Sequence, residues 1–150
     1  MQPQIFRQSG KWLMFILMIA SLFCLNAIVN TLAENGVGLA ILIGVLIVLQ
    51  VCLALFYQLT ITVTEETISF RMGIGLIGKS YRICDIQSCN AVQNNLLLGL
   101  GIHYFMGGVL YNVSGRKAIE LHFKNRPKVV RIGTDRPEEI AKLINLLINR

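Results

Sequence analysis

Charge is what the first part of this chain lacks. Between Lys11 and Glu65 the only formally charged residue is Glu34. Helices on the surface of a soluble domain carry a polar stripe, and no such stripe is available here. Two uncharged apolar runs remain, residues 12–32 (WLMFILMIASLFCLNAIVNTL) and residues 39–59 (LAILIGVLIVLQVCLALFYQL). At about 1.5 Å per residue, each is long enough to cross the roughly 30 Å hydrocarbon core as a helix. The first run is too long for the apolar region of a cleaved signal peptide, and no small-x-small cleavage pattern follows it.

The basic residues are absent from the connection between the runs and from the runs themselves. All of them except Arg7 and Lys11 follow the second run. The positive-inside rule then predicts both termini on the cytoplasmic side of the plasma (inner) membrane. Residues 1–11 read as a cytoplasmic tail, and residues 12–59 as a transmembrane hairpin. Trp12 and Tyr57 fall at the same interface, where aromatic anchors concentrate. Counting from that interface puts Ser21 level with Gln50. An interhelical hydrogen bond there is expected, with bonding of each group to its own backbone as the alternative.

Metal-ligand spacing is also missing. Cys24 and Cys52 lie in the spans. Cys84 and Cys89 fall on the cytoplasmic side, where thiols stay reduced, and His103 and His122 are isolated. No metal or other cofactor is expected.

Residues 60–150 hold the soluble domain. Residues 59–64, 67–72 and 80–84 alternate apolar and polar positions, as half-buried strands do. Val109–Val113, Lys117–Phe123 and Lys128–Thr134 add three more strands, with turns at Glu65-Glu66 and Asn125-Arg126-Pro127. Their hairpin spacing predicts an antiparallel sheet. Asp135 reads as an N-cap, with Pro137 in the first turn and Glu138 at capping-box spacing. Ile140, Leu143, Ile144 and Leu147 repeat on one helical face, which should cover the sheet.

The stretch Gly73-Ile74-Gly75-Leu76-Ile77-Gly78-Lys79-Ser80 matches G-x-x-x-x-G-K-[ST], the phosphate-binding loop, with Gly73, Gly78, Lys79 and Ser80 at the fixed positions. Its chemistry requires a buried parallel strand before the loop and a helix beginning at Lys-Ser. Here an alternating strand precedes it, alternation resumes after it, and no acidic residue occurs between positions 93 and 108 to serve a dinucleotide ribose. The sequence favours a glycine-rich connection between two strands, with nucleotide binding as the alternative.

Leu110-Tyr111-Asn112-Val113-Ser114-Gly115, then Ala118-Ile119-Glu120-Leu121, then Arg131-Ile132-Gly133-Thr134-Asp135 with Pro137-Glu138, resemble patterns of bacterial membrane proteins with a pleckstrin-homology-like (PH-like) domain. Gly99-x-Gly101-Ile102 resembles their G-x-G-I segment. Val109 stands where those proteins carry tryptophan, and His103 where an arginine often follows. The resemblance implies an α+β protein. It would have a two-helix transmembrane hairpin, then a bent antiparallel sheet of seven strands closed into a partial barrel, plugged by the last helix. The strand not evident from alternation should lie between Asp85 and Asn94.

The family has no single activity, and the residues point to binding rather than catalysis. No nucleophile-base or paired-carboxylate spacing is recognisable around Asp85, Glu120 or Asp135, so no enzyme is expected. No aromatic-basic stacking pattern suggests nucleic acid. The domain is basic, and Arg116, Lys117, Lys124, Arg126, Lys128 and Arg131 are the candidates for contact with an anionic bilayer or a protein partner. Ordinary solubility charge is the alternative. A homo-oligomer is compatible with this reading. The apolar segment Leu96–Met106 reads as a core strand, a membrane-dipping loop or a partner surface.

Overall fold

The computed structural model describes residues 2–31, 36–95 and 100–150. The chain opens on strand β1 (Gln4–Ser9), followed by helices α1 (Lys11–Thr31) and α2 (Val37–Phe56). Strands β2 (Gln58–Val63), β3 (Thr67–Met72) and β4 (Ile77–Arg82) follow, then a 3₁₀ turn at Ile83–Asp85. β5 (Ile86–Gln93), β6 (Gly101–Phe105), β7 (Gly108–Asn112), β8 (Lys117–Phe123), β9 (Arg126–Gly133) and helix α3 (Pro137–Ile148) complete the fold. Of the expected connection at residues 33–38, residues 33–35 lie outside the described residues, as do the apolar residues 96–99, and Val37 and Gly38 already belong to α2.

Both α1 and α2 are long and apolar enough to cross a membrane. Their large side chains, among them Phe15, Leu22, Phe23, Ile41 and Ile47, face outward rather than into the domain. α2 ends at Phe56, short of the expected boundary at residue 59. Leu59 is instead the first core residue of β2. Apolar composition alone does not separate the end of a buried helix from the start of a buried strand.

The segment expected to be a tail is the edge strand of a four-stranded sheet, ordered β1-β2-β3-β4. β1 pairs antiparallel with β2 from Gln4↔Val63 to Ser9↔Gln58. The helices therefore return the chain to its starting side. The junction is tight, because the Gly10 amide donates to Tyr57 O at 2.9 Å. A Cβ at Gly10 would stand 2.7 Å from Phe56 O and 3.2 Å from Val113 O. Only glycine lets the β1–α1 and α2–β2 crossings approach each other so closely.

The second sheet has five strands, ordered β5-β8-β9-β7-β6. The strand expected between residues 85 and 94 is β5. Two expectations are corrected. The strands form two separate sheets, and no barrel closes among the described residues. The pairing is also not wholly antiparallel, since β7 runs parallel to β9 from Gly108↔Val129 to Tyr111↔Ile132. The β8–β9 hairpin inserts β9 between β8 and β7, which turns β9 along β7. Sequence spacing reveals hairpins, not such distant neighbours.

Alternation gives the core. Leu59, Ile61 and Val63 of β2 and Ile68, Phe70 and Met72 of β3 face Ile119, Leu121, Val130 and Ile132 of the second sheet. Burying a side chain of this size contributes about 1.5–3 kcal/mol. α3 adds Ile140 and Ile144, with Leu143 and Leu147 partly buried, as its stripe predicts. It is clasped to β5 by Asn145, whose Oδ1 accepts from the Cys89 amide at 3.0 Å and whose Nδ2 donates to Cys89 O at 2.7 Å. The cap differs from expectation. Arg136 is the N-cap and no side chain caps the helix. Asp135 instead accepts from Gln8 Nε2 at 3.0 Å, so its carboxylate fastens β1.

Candidate functional site

The glycine stretch is a β3–β4 hairpin. Gly73 and Gly75 have φ of 52° and 94°, a region in which side chains are strained. Three of its amides are already committed. Gly73 N donates to Gln58 O, Ile74 N to Ala54 O and Gly75 N to Met72 O, at 2.7, 3.0 and 2.8 Å. Lys79 and Ser80 stand in β4, opposite Phe70 and Ser69, and no helix begins there. The arrangement that cradles a phosphate is missing on both counts.

The six basic candidates do not form one cluster. Arg116 and Lys117 lie at the start of β8, beside the Asn112–Gly115 turn. Lys124 and Arg126 lie at its other end, about seven residues or ~23 Å along the strand. Arg131 is engaged: its Nε donates to Glu120 Oε2 at 2.6 Å, its Nη1 to Asn94 Oδ1 at 3.2 Å, and its guanidinium sits 4.6 Å from the Phe105 ring centre. His122 Nε2 contacts the other Glu120 oxygen at 2.8 Å. Burial would raise the Glu120 pKa, but the hydrogen bonds from Arg131 and His122 outweigh it and hold the carboxyl below its ordinary value. Sequence reading missed this network, although Glu120 and His122 are one strand period apart and Arg131 is the register partner of Glu120.

Three cations that the sequence assigned to different roles do converge. Lys79 of β4 and Arg126 and Lys128 of β9 line a cleft of about 340 Å³ between the two sheets. Tyr81, Tyr104, Phe105 and Phe123 supply aromatic walls, and none of the lining residues is acidic among those described. The walls are packed: Tyr81 and Phe123 lie 5.1 Å apart, and Arg126 covers Phe123 at 5.3 Å. Lys79 Nζ lies 5.8 Å from the Tyr111 ring, and hydrogen bonding with Tyr111 holds its pKa above the usual lysine value. Burial likewise raises the Tyr81 phenol. Lys79 is therefore charged, and Tyr81 neutral, at physiological pH. β4 and β6, the edge strands of their sheets, both contribute to the lining of the cleft.

A larger cavity of about 750 Å³ lies under the end of α3. It mixes Glu65 and Glu66 with Arg82, Lys124 and Arg150, and so favours neither sign of ligand. No group of three His, Cys, Asp or Glu side chains converges among the described residues.

The sequence patterns around Asn112 and Gly133 have a structural basis. Asn112 Nδ2 donates to Gly115 O at 2.9 Å, which shapes the turn, and Gln8 Nε2 donates to Ser114 O at 2.8 Å. A Cβ at Gly133 would overlap Asn112 Oδ1. These residues fasten β1 to the second sheet. Comparison with protein-family models, with curated proteins and with solved structures returns no match.

Proposed function

We propose that this chain is a membrane-anchored, non-enzymatic interaction module. In this reading α1 and α2 span the inner membrane, and both termini and a PH-like domain lie in the cytoplasm. The domain binds an acidic, extended segment of a protein partner in the cleft between β4 and β6. The cleft is the observation that carries this reading: Lys79, Arg126 and Lys128 converge on aromatic walls without a carboxylate. Its border is the open edge of β4, whose backbone can accept an added strand while the cleft takes alternate side chains. Cations that converge without counter-charge favour an anionic partner and its fast association. Membrane attachment is supported by the length and apolar surface of the two helices, and orientation by the basic residues that flank them.

A direct bilayer contact by all six basic candidates has less support, because they are dispersed and Arg131 is paired with Glu120. Nucleotide binding through Gly73, Gly78, Lys79 and Ser80 has no comparable support, since the Gly73, Ile74 and Gly75 amides are occupied and Lys79-Ser80 continue a strand rather than begin a helix.

The test is a titration of full-length protein in zwitterionic nanodiscs with a fluorescent peptide rich in Glu and aromatic residues. Binding should weaken at least about tenfold in the Arg126→Glu, Lys128→Glu double variant and should fall with salt. Binding indifferent to these charge reversals would sink the cleft reading. ATP binding abolished by Ser80→Ala would favour the nucleotide alternative instead.

A further inference from the structure

The β3–β4 turn is apolar, unlike the β2–β3 and β8–β9 turns. The β2–β3 turn carries Glu65-Glu66 and the β8–β9 turn Lys124-Asn125, whereas this one reads Gly73-Ile74-Gly75-Leu76. Ile74 is 62% exposed and Leu76 77% exposed, so neither serves the core. Yet the turn is not free. Ile74 N donates at 3.0 Å to Ala54 O, one of the last carbonyls of α2, which lack partners within the helix. Gly73 is so close that a Cβ there would overlap the same oxygen.

This attachment sets the depth of the turn. α2 has 20 residues, about 30 Å, which matches the hydrocarbon core. Ala54 lies within the last turn of the helix, so the Ile74 backbone sits at the edge of the hydrocarbon. Two exposed aliphatic side chains at that level have acyl chains and headgroups beside them rather than open water. Arg71, exposed at the end of β3, can extend its stem along the same boundary and keep its charge at the phosphates.

We propose that Gly73–Leu76 is a third membrane contact, with Ile74 and Leu76 inserted at the acyl–headgroup boundary beside α2. The inference rests on the reading that α1 and α2 span the bilayer. With the crossings at Gly10 and Tyr57, the turn supplies a third point of attachment. Three points define a plane, so the domain is held at a fixed tilt rather than swinging on two strands. The glycines have a matching role: Gly73 allows the approach to α2, and Gly75 turns the chain back toward β4.

The experiment uses full-length protein in phosphatidylcholine vesicles containing doxyl-labelled lipids, in a Trp12→Phe background. Single tryptophans are introduced by Leu76→Trp, by Ile74→Trp, by Leu22→Trp within α1, and by Met106→Trp at the β6–β7 turn. The Leu76→Trp and Ile74→Trp variants should emit to the blue and lose roughly half their emission to shallow-labelled lipid. The Leu22→Trp variant should be quenched by deep label, and the Met106→Trp variant by neither. If both turn variants behave like Met106→Trp while Leu22→Trp is quenched, the turn does not touch the bilayer and the proposal fails alone. If Leu22→Trp is also unquenched, the spanning reading fails and takes the proposal with it.

Discussion

The side chain of Gln50 on α2 donates from Nε2 to the Ser21 hydroxyl on α1 at 3.0 Å. Ser21 in turn donates to Leu17 O, one turn back on its own helix, at 2.8 Å. The interhelical bond expected from the sequence is present, and of the alternative only the Ser21 half is found, because a hydroxyl both donates and accepts. In the spanning arrangement proposed above, the alternative for Gln50 is an unsatisfied amide, yet such interhelical bonds average only about 0.6 kcal/mol. Gln50→Leu and Ser21→Ala should each destabilise the helix pair by under about 1 kcal/mol, and the double variant should cost less than their sum. Reversible unfolding in mixed micelles measures the cycle. Additive losses would mean the bond contributes no coupling.

Gly73 is the most constrained glycine of the turn. Its φ of 52° costs a side chain about 1–2 kcal/mol, and a Cβ would also overlap the end of α2. Gly73→Ala should lower the midpoint of thermal unfolding in micelles and speed hydrogen exchange at the Ile74 amide. Gly75→Ala carries the backbone strain, but its Cβ would meet only an Arg71 side-chain atom at 4.0 Å, so its loss should be the smaller. Equal losses would assign the whole effect to backbone strain.

What the sequence revealed depended on whether the signal was local. The two apolar runs, the β2–β3 alternation and the α3 stripe each arise from neighbouring residues with one period. β1 was hidden because its partner β2 lies beyond two helices, and because the buried Gln8 reads as polar tail. The Gln8 amide nitrogen reaches Ser114 and Asp135, contacts that only the finished fold supplies. The cleft was hidden for the same reason. Lys79 belonged to a phosphate-loop pattern and Arg126 and Lys128 to a basic surface, and nothing between them in sequence pointed to a shared cavity.

The cysteines differ enough in surroundings to be told apart chemically. Cys84 is exposed, whereas burial pushes the Cys89 thiol up to about 12. The thiolate is the reactive form, so Cys89 has almost none near neutral pH and is also sterically covered by α3. In sealed vesicles a charged, water-soluble maleimide should modify Cys84 alone, since the proposed spanning arrangement puts Cys24 and Cys52 within the bilayer. Peptide mapping reads the sites. Rapid modification of Cys89 before unfolding would mean that α3 detaches readily from β5.

Glu120 gives the domain an acid-sensitive element. Its side chain is 13% exposed and its partner Arg131 24%, so solvent screens the pair only in part. Desolvation works against the carboxylate, but the bonds from Arg131 and His122 prevail and its folded pKa lies below the ordinary 4.5. The unfolded chain therefore binds a proton at higher pH than the folded one. The stabilisation is fully present above the unfolded value and is lost as pH falls through the depressed folded value. Glu120→Gln should cost about 2 kcal/mol near neutrality, the scale of a charge-assisted hydrogen bond. It should also flatten the acid limb of a plot of Tm against pH, because the residue that takes up the proton is gone. A variant whose acid limb parallels that of the native protein would assign the acid sensitivity to other carboxylates and reduce the Glu120–Arg131 pair to a geometric contact.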